Sequence, residues 1–397
     1  MPIRYGAQST ETPLQANRYF DVTETIFLKK PDESPFTALM VGLKKTKVGD
    51  PEFKWFNKNI RAQSTLADGA SLIGATLKVD NASLFVPGDV IRVIDQTTLA
   101  LLAIHRVTAV NTSTNVLTLV RGLAGTSDAN IADNDIILRI GNAQQEYSPI
   151  PTPVAEDLIP FSNYTQIFRH SSSYSRTFWE STKFFAGMRE KELQTNRDEK
   201  RREHTREIES AMLFGRKGIE GAGSGSPRRM TGGIDYWLQE SATAGVDNRV
   251  DIAGAGVATL AGFQAFLASQ GFAYGGQEKW GFACSEVLAI LGNLVLNTVR
   301  TENHLTSFGL NVTTFEFSTG TLHLVRHDLM RYGLYRNALT LIDPAHINLE
   351  YVGDAMSRFK TDVGLPSDDG YQDSWLTEVG MKIAVPETLA RWGNIKS

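Results

Sequence analysis

The chain has 397 residues, 42% of them hydrophobic and 21% charged, a composition ordinary for a globular protein of roughly two or three domains. Its net charge of −4 gives no global pull toward nucleic acid or anionic membrane, and one cysteine, Cys284, excludes an internal disulfide or a cysteine-rich zinc site. No run reaches about 18 apolar residues, and MPIRYGAQSTETP lacks a secretory signal's apolar region. The expected setting is therefore cytoplasmic.

Residues 1–33 are polar and threonine-rich and read as an extended arm. SPFTALM (34–40) starts like a helix, with serine as N-cap and proline at the first helical position. PEFKWFNKNI (51–60) alternates: Phe53, Trp55 and Asn57 fall on one face and Lys54, Phe56 and Lys58 on the other. A strand with aromatics on both faces is expected to pack against another chain.

Residues 66–143 lose charge and gain β-branched residues. ATLKVDN, SLFVPGDVIRVID, LLAIHRVTAVN, NVLTLVRG and NDIILRIG read as strands separated by turn signals, a pattern for a small all-β barrel or sandwich. No aromatic stripe or basic face marks it as a carbohydrate or nucleotide binder. Four prolines at 149, 151, 153 and 160 give a rigid return segment, and 163–172 reads as the partner of the strand at 51–60.

Residues 178–214 contain no proline and one glycine, and are rich in helix formers. As one helix they would extend roughly 55 Å. The ends are apolar. The middle, 194–207, has no large aliphatic or aromatic side chain and mixes charges, so Asp198 is expected to reach Arg202 and Glu203 to reach Arg206. The helix reads either as a solvated face or as a spine anchored at its ends. Beyond a Gly/Ser loop with Arg228 and Arg229, two helices, a hairpin at 310–330 and closing strands complete an α+β pattern.

No phosphate loop, nucleophile elbow or HExxH motif is present. GAGVAT (254–259) lacks the third glycine of a dinucleotide loop. His323 and His327 read as ordinary strand residues, and Cys284 as a small buried one. The expectation is no catalytic residue, no cofactor and no metal.

The order of parts, carried by SPFTALM (34–40), PEFKWF (51–56), TREIESAMLFG (205–215), RRMTGGIDYWL (228–238) and TLHLVRHDLM with LIDPAHINLEYV (321–352), resembles tailed-bacteriophage major capsid proteins of the Hong Kong 97 fold, in a subgroup with a β insertion in the extended loop. The resemblance implies an N-arm (1–33), a helix and outgoing E-loop strand (34–65), an inserted β domain (66–143), a returning strand (144–177), a spine helix with part of the peripheral domain (178–249), an axial domain (250–335) and peripheral closing strands (336–397). It implies a non-enzymatic shell subunit that forms hexamers and pentamers of an icosahedral virion capsid around double-stranded DNA. Portal, scaffolding and decoration proteins would be its partners, with no membrane involved. The shell would assemble in the bacterial host cytoplasm. Contacts between subunits are expected at Phe53, Trp55, Phe56, Lys58, Tyr164, Phe168, Arg189, Arg197, Arg201 and Arg202, with Arg228 and Arg229 facing phosphate or DNA. Some members cross-link a lysine to an asparagine, and nothing in this sequence supports such a bond at Lys58. A nanocompartment (encapsulin-like) shell and a soluble α/β enzyme with a β insertion stay open as alternatives.

Overall fold

A computed structural model of the protein describes residues 35, 36, 39, 44–58, 61–71, 74–126, 128–148, 158–177, 189–243, 246–254, 256–295, 301–307, 310–364 and 369–396. The expected arm at 1–33 and the expected first turns of the long helix, 178–188, lie outside them.

In chain order the strands begin with β1 (Lys45–Val48), β2 (Glu52–Asn57), β3 (Ser64–Leu66), β4 (Thr76–Lys78), β5 (Asp89–Ile94), β6 (Leu101–Asn111), β7 (Val116–Val120) and β8 (Ile136–Asn142). β9 (Ile159–Tyr164) and β10 (Gln166–Ser175) lead to helix α1 (Arg189–Phe214). Then come β11 (Gly218–Glu220), β12 (Arg228–Met230), α2 (Ile234–Thr243), β13 (Arg249–Asp251), α3 (Leu260–Phe266), β14 (Glu278–Ala283) and α4 (Ser285–Val295). The chain closes with β15 (Thr301–Ser307), β16 (Leu310–Phe317), β17 (Gly320–Arg326), β18 (Leu339–Ile342), β19 (Ile347–Val352), β20 (Arg358–Lys360), β21 (Gly370–Ile383) and β22 (Ala390–Gly393).

Two compact units form, one from residues 56–160 and the other from 1–55 with 161–397. In the first, a six-stranded sheet runs β3-β8-β5-β6-β7-β4. Its two edge strands meet: Ala67 bridges Val79, the Asp68 N–H donates to the Lys78 carbonyl at 3.1 Å, and the Asp80 N–H donates to the Leu66 carbonyl at 3.0 Å. The sheet is therefore a closed barrel, which leaves no unpaired edge for aggregation. Alternation does the sorting. Ile91 and Val93 of β5 face inward with Val107, Leu117, Leu119 and Ile137, and these make a core of the barrel's own.

The larger unit holds two principal sheets. One runs β1-β19-β21-β10, with β20 also on β21. The other runs β13-β22-β18-β14-β17-β16-β15. β14 is buried along most of its length, as a central strand requires, and Phe282, Ala283 and Trp280 pack into the main core. α3 starts at an N-cap, Thr259, whose hydroxyl accepts the Gly262 N–H, and it turns Phe263 and Phe266 onto Trp392.

Three expectations change. β2 pairs with β9, 159–164, and not with 163–172, because β10 is drawn into the main sheet by ten residue pairs with β21 from Gln166↔Val379 to Ser175↔Gly370. The boundary expected at 335/336 does not follow the sheets: β18 and β22 pair within the sheet of β14, while β19 and β21 join β10. On α1 Asp198 pairs with Arg201 at 3.5 Å in place of Arg202, and Glu203 with Lys200 at 2.6 Å in place of Arg206. At three residues' separation the two side chains still share a face, so the helix loses nothing by the change.

Along its middle, 194–207, α1 is exposed or half-buried except at His204, and burial deepens just beyond it. His204, Ile208 and Glu209 are buried, so one face of a strongly charged helix is inside. Its deepest attachment is Glu209. Both Glu209 and His327 are fully buried, and His327 Nε2 lies 2.5 Å from Glu209 Oε1. His327 Nδ1 accepts the Leu329 N–H at 3.1 Å, so the ring proton sits on Nε2 and is donated to Glu209. The same carboxylate oxygen accepts the Phe36 N–H at 2.9 Å. One side chain thus fastens the helix, the segment after β17 and the Pro35–Phe36 turn. Glu209→Ala strands two buried donors and should cost about 3–5 kcal/mol of subunit stability, read as a lowered midpoint in urea denaturation. An unchanged midpoint would show that the attachment is not stabilising.

Candidate functional site

β2 divides its aromatics between two environments. Phe53 and Trp55 are buried within their own chain. Trp55 stacks between Phe53 (6.0 Å, 20°) and Phe161 (6.0 Å, 18°) and tilts against Trp237 at 5.3 Å, with Lys382 Nζ 5.9 Å from its ring. The expectation that a neighbouring subunit covers Phe53 and Trp55 is corrected: α2 and β9 supply that cover. Phe56, on the opposite face, remains 62% exposed, and Lys58 is exposed beside it. Leu158 and Ile159, on and next to β9, are exposed as well. Single exposed apolar residues are ordinary; three on one ribbon form the kind of surface that a partner covers.

The other candidate contacts scatter. Tyr164 is half-buried with Lys217 Nζ 5.5 Å from its ring centre. Phe168 is buried, edge-on to His204 at 6.5 Å, so it too is held by its own chain. Arg197 is spent internally: it donates to Asp373 at 2.7 Å and lies 5.4 Å from the Phe359 ring centre. Arg201 is exposed with Asp198, and Arg202 is half-buried. The Arg189 side chain lies outside the described residues. Arg228 meets Glu220 across the β11–β12 hairpin at 3.4 Å, and Arg229 is half-buried.

A second polar chain joins α1 to the sheet. His170 Nε2 lies 3.1 Å from Glu207, His170 Nδ1 is 2.8 Å from His204 Nδ1, and His204 Nε2 is 2.7 Å from Thr377 Oγ1. With both rings neutral the pattern closes: His170 donates to Glu207, His204 donates to His170, and Thr377 donates to His204. Burial, then the neighbouring His170 charge, lowers the His204 pKa to about 4, with Glu207 opposing. His170, Glu203 and Glu207 bring potential metal-ligand atoms within 4.8 Å of one another. Glu203 is already held by Lys200 and His170 by Glu207 and His204, so these atoms are satisfied within the chain. Beside this chain runs a groove of about 500 Å³, apolar at Ile208, Met212, Leu349, Trp375 and Val379, with Arg197 and Arg201 also lining it.

The sequence reading missed Glu209, His327, His204 and His170. Glu209 and His327 are 118 positions apart, and only the fold brings them together. His327 is no ordinary strand residue; it follows β17 and is fully buried. Cys284 is buried as expected, its thiol donating to the Arg336 carbonyl at 2.8 Å.

In these attachments the polar groups bind element to element, and Phe56, Leu158 and Ile159 leave apolar surface on the β2–β9 ribbon. The family model of the SU10 major capsid protein matches residues 6–396, and the chain belongs to that family. It is a structural protein of a tailed-phage virion capsid and not an enzyme, which removes the enzyme alternative. Among solved structures, the chain is similar to the capsid of a native GTA particle (9% identity, 98% of this chain and 100% of that one, TM-score 0.48) and to a Mycobacterium phage Bobi chain (9% identity, 98% and 100%, TM-score 0.48). It is also similar to an encapsulin from Synechococcus elongatus (12% identity, 61% and 78%, TM-score 0.40). No curated protein matches the chain.

Two outcomes are expected. Trp55→Ala should lower the stability of the unassembled subunit by about 3–5 kcal/mol, seen in thermal melting before any assembly assay. A melt like wild type would return Trp55 to the surface. His204 is held neutral, its folded pKa depressed below the ordinary 6.5, so its neutral form favours the fold fully above pH 6.5. That contribution is lost as pH falls from 6.5 toward about 4, roughly 3 kcal/mol in all. His204→Gln should flatten this part of the stability–pH curve measured by urea denaturation. An equal slope in both proteins would count against it.

Proposed function

We propose that this chain forms the hexamers and pentamers of an icosahedral shell of the Hong Kong 97 type around double-stranded DNA. In this reading α1 is the spine helix, β2 and β9 belong to the E-loop, and the barrel within 56–160 is an insertion in that loop. Membership of the SU10 major capsid protein family supports it. The observation that carries it is β2, whose inward aromatics complete the subunit's core while Phe56 projects outward. A shell needs many modest contacts summed over neighbours, and an exposed aromatic on a two-stranded ribbon supplies one.

Scaffolding, portal and decoration proteins are the further partners of this reading, and assembly takes place in the host cytoplasm. Contact with DNA is non-specific. The balanced charge of α1 keeps duplex from being gripped, and the Arg228 charge is partly met by Glu220. Phe56→Ser is the test. Covering one such side chain is worth about 1.5–3 kcal/mol per contact, so shell yield by sedimentation and electron microscopy should fall steeply while the subunit melts as wild type. A normal yield of shells would remove Phe56 from the contact.

A further inference from the structure

At one end of the barrel lies a cavity of about 410 Å³, lined chiefly by polar side chains: Arg61, Gln63, Asp89, Arg139, Asn142 and Gln144. Its volume is that of a small-ligand site, and barrel mouths are common places for one. Three features mark it as built.

The first is the charge balance. Asp89 is the one acidic residue in the lining, against two guanidiniums, leaving one positive charge. Asp89 Oδ2 is already engaged by Arg61 at 3.4 Å and by the Val86 N–H at 2.9 Å. The second is Arg139. It sits opposite Ile91, whose side chain faces the barrel core, and its Nε is buried without a hydrogen-bond partner. An orphaned buried N–H is costly, and an acceptor placed in the cavity would satisfy it. The third is the backbone. The β5–β8 register jumps from Arg139↔Ile91 to Gly141↔Val90, so Ile140 is an extra residue in a bulge. Bulges re-aim the side chains beside them and recur next to sites.

The rest of the lining names the ligand's other groups. Gln63, Asn142 and Gln144 are primary amides, each with donors and an acceptor, which suits hydroxyls that do both. No aromatic ring lines the cavity, so recognition runs through polar edges and not through stacking. The net single charge suits a carboxylate better than a phosphate dianion, and a guanidinium edge takes a carboxylate side-on through two parallel bonds.

We propose that this cavity binds a small polyhydroxylated carboxylate, of the class of sugar acids. Its carboxylate lies on Arg139 and Arg61, and its hydroxyls lie on the three amides.

The test uses the full chain and saturation-transfer NMR with glucuronate, glucose and inorganic phosphate as probes, phosphate being read by its ³¹P linewidth. Glucuronate should receive saturation and glucose, without the carboxylate, should not. Arg139→Gln should weaken glucuronate binding by about tenfold or more, the usual effect of losing a charge-assisted pair. Asn142→Asp, which puts a second carboxylate in the lining and leaves both arginines in place, should do the same and decides the matter if Arg139→Gln does not fold. Arg92→Gln changes another barrel arginine whose Nε is buried, outside the cavity, and should leave binding intact. No saturation of glucuronate by the wild-type chain would overturn the proposal. So would binding that survives both cavity variants, or phosphate binding in its place.

Discussion

A charged helix can enter a protein core only if its polar groups find partners there, and the Glu209–His327 pair meets that condition for α1. An isolated buried carboxylate is prohibitively expensive, and a paired one fixes geometry instead. Glu209 accepts from the His327 ring and from the Phe36 backbone, so helix, sheet and N-terminal turn share one point of attachment. Five residues earlier in the sequence, and about one and a half turns along the helix, the His204–His170–Glu207 chain makes a second attachment, this time to β10 and, through Thr377, to β21. Between and below them Ile208, Met212 and Leu213 bury ordinary apolar surface. The helix is thus anchored along its C-terminal half by alternating polar and apolar contacts.

This fixes which parts of the subunit are finished before assembly. The aromatic cluster of Phe53, Trp55, Phe161 and Trp237 is complete in one chain, and so is the core of the barrel. Phe56, Leu158 and Ile159 are not covered. A period of two residues separates the two environments on one strand: the side chain at 55 is buried in the subunit, and the one at 56 stays exposed. Such a division suits a capsid protein, whose subunit must be stable before it meets its copies.

Local patterns in the sequence carried far. Alternation at 51–60 appears as β2, and each of the five strand segments between 75 and 141 contains a strand of the barrel. Pro35, Phe36 and Leu39 are helical, with Phe36 fully buried. Non-local choices were not legible. Nothing in 166–175 says that it will join β21 while 159–164 takes β2, because both stretches are extended and partly polar. The sequence does not say that β18 and β22 will sit beside β14. The α1 attachments were hidden for a different reason. Glu209 and His204 look like members of a solvated charged face, and hydrophobic periodicity is blind to polar residues that are buried in pairs. The barrel's cavity left no signature either: its lining is gathered from three separate stretches between Arg61 and Gln144.

The most direct measurement is hydrogen–deuterium exchange on unassembled subunits and on assembled shells. If α1 is anchored within its own subunit, amides from 204 to 212 are protected equally in both states, and protection gained on assembly falls on the ribbon around Phe56 and Ile159. Amides of 204–212 that exchange freely in the subunit and become protected only in the shell would contradict the account.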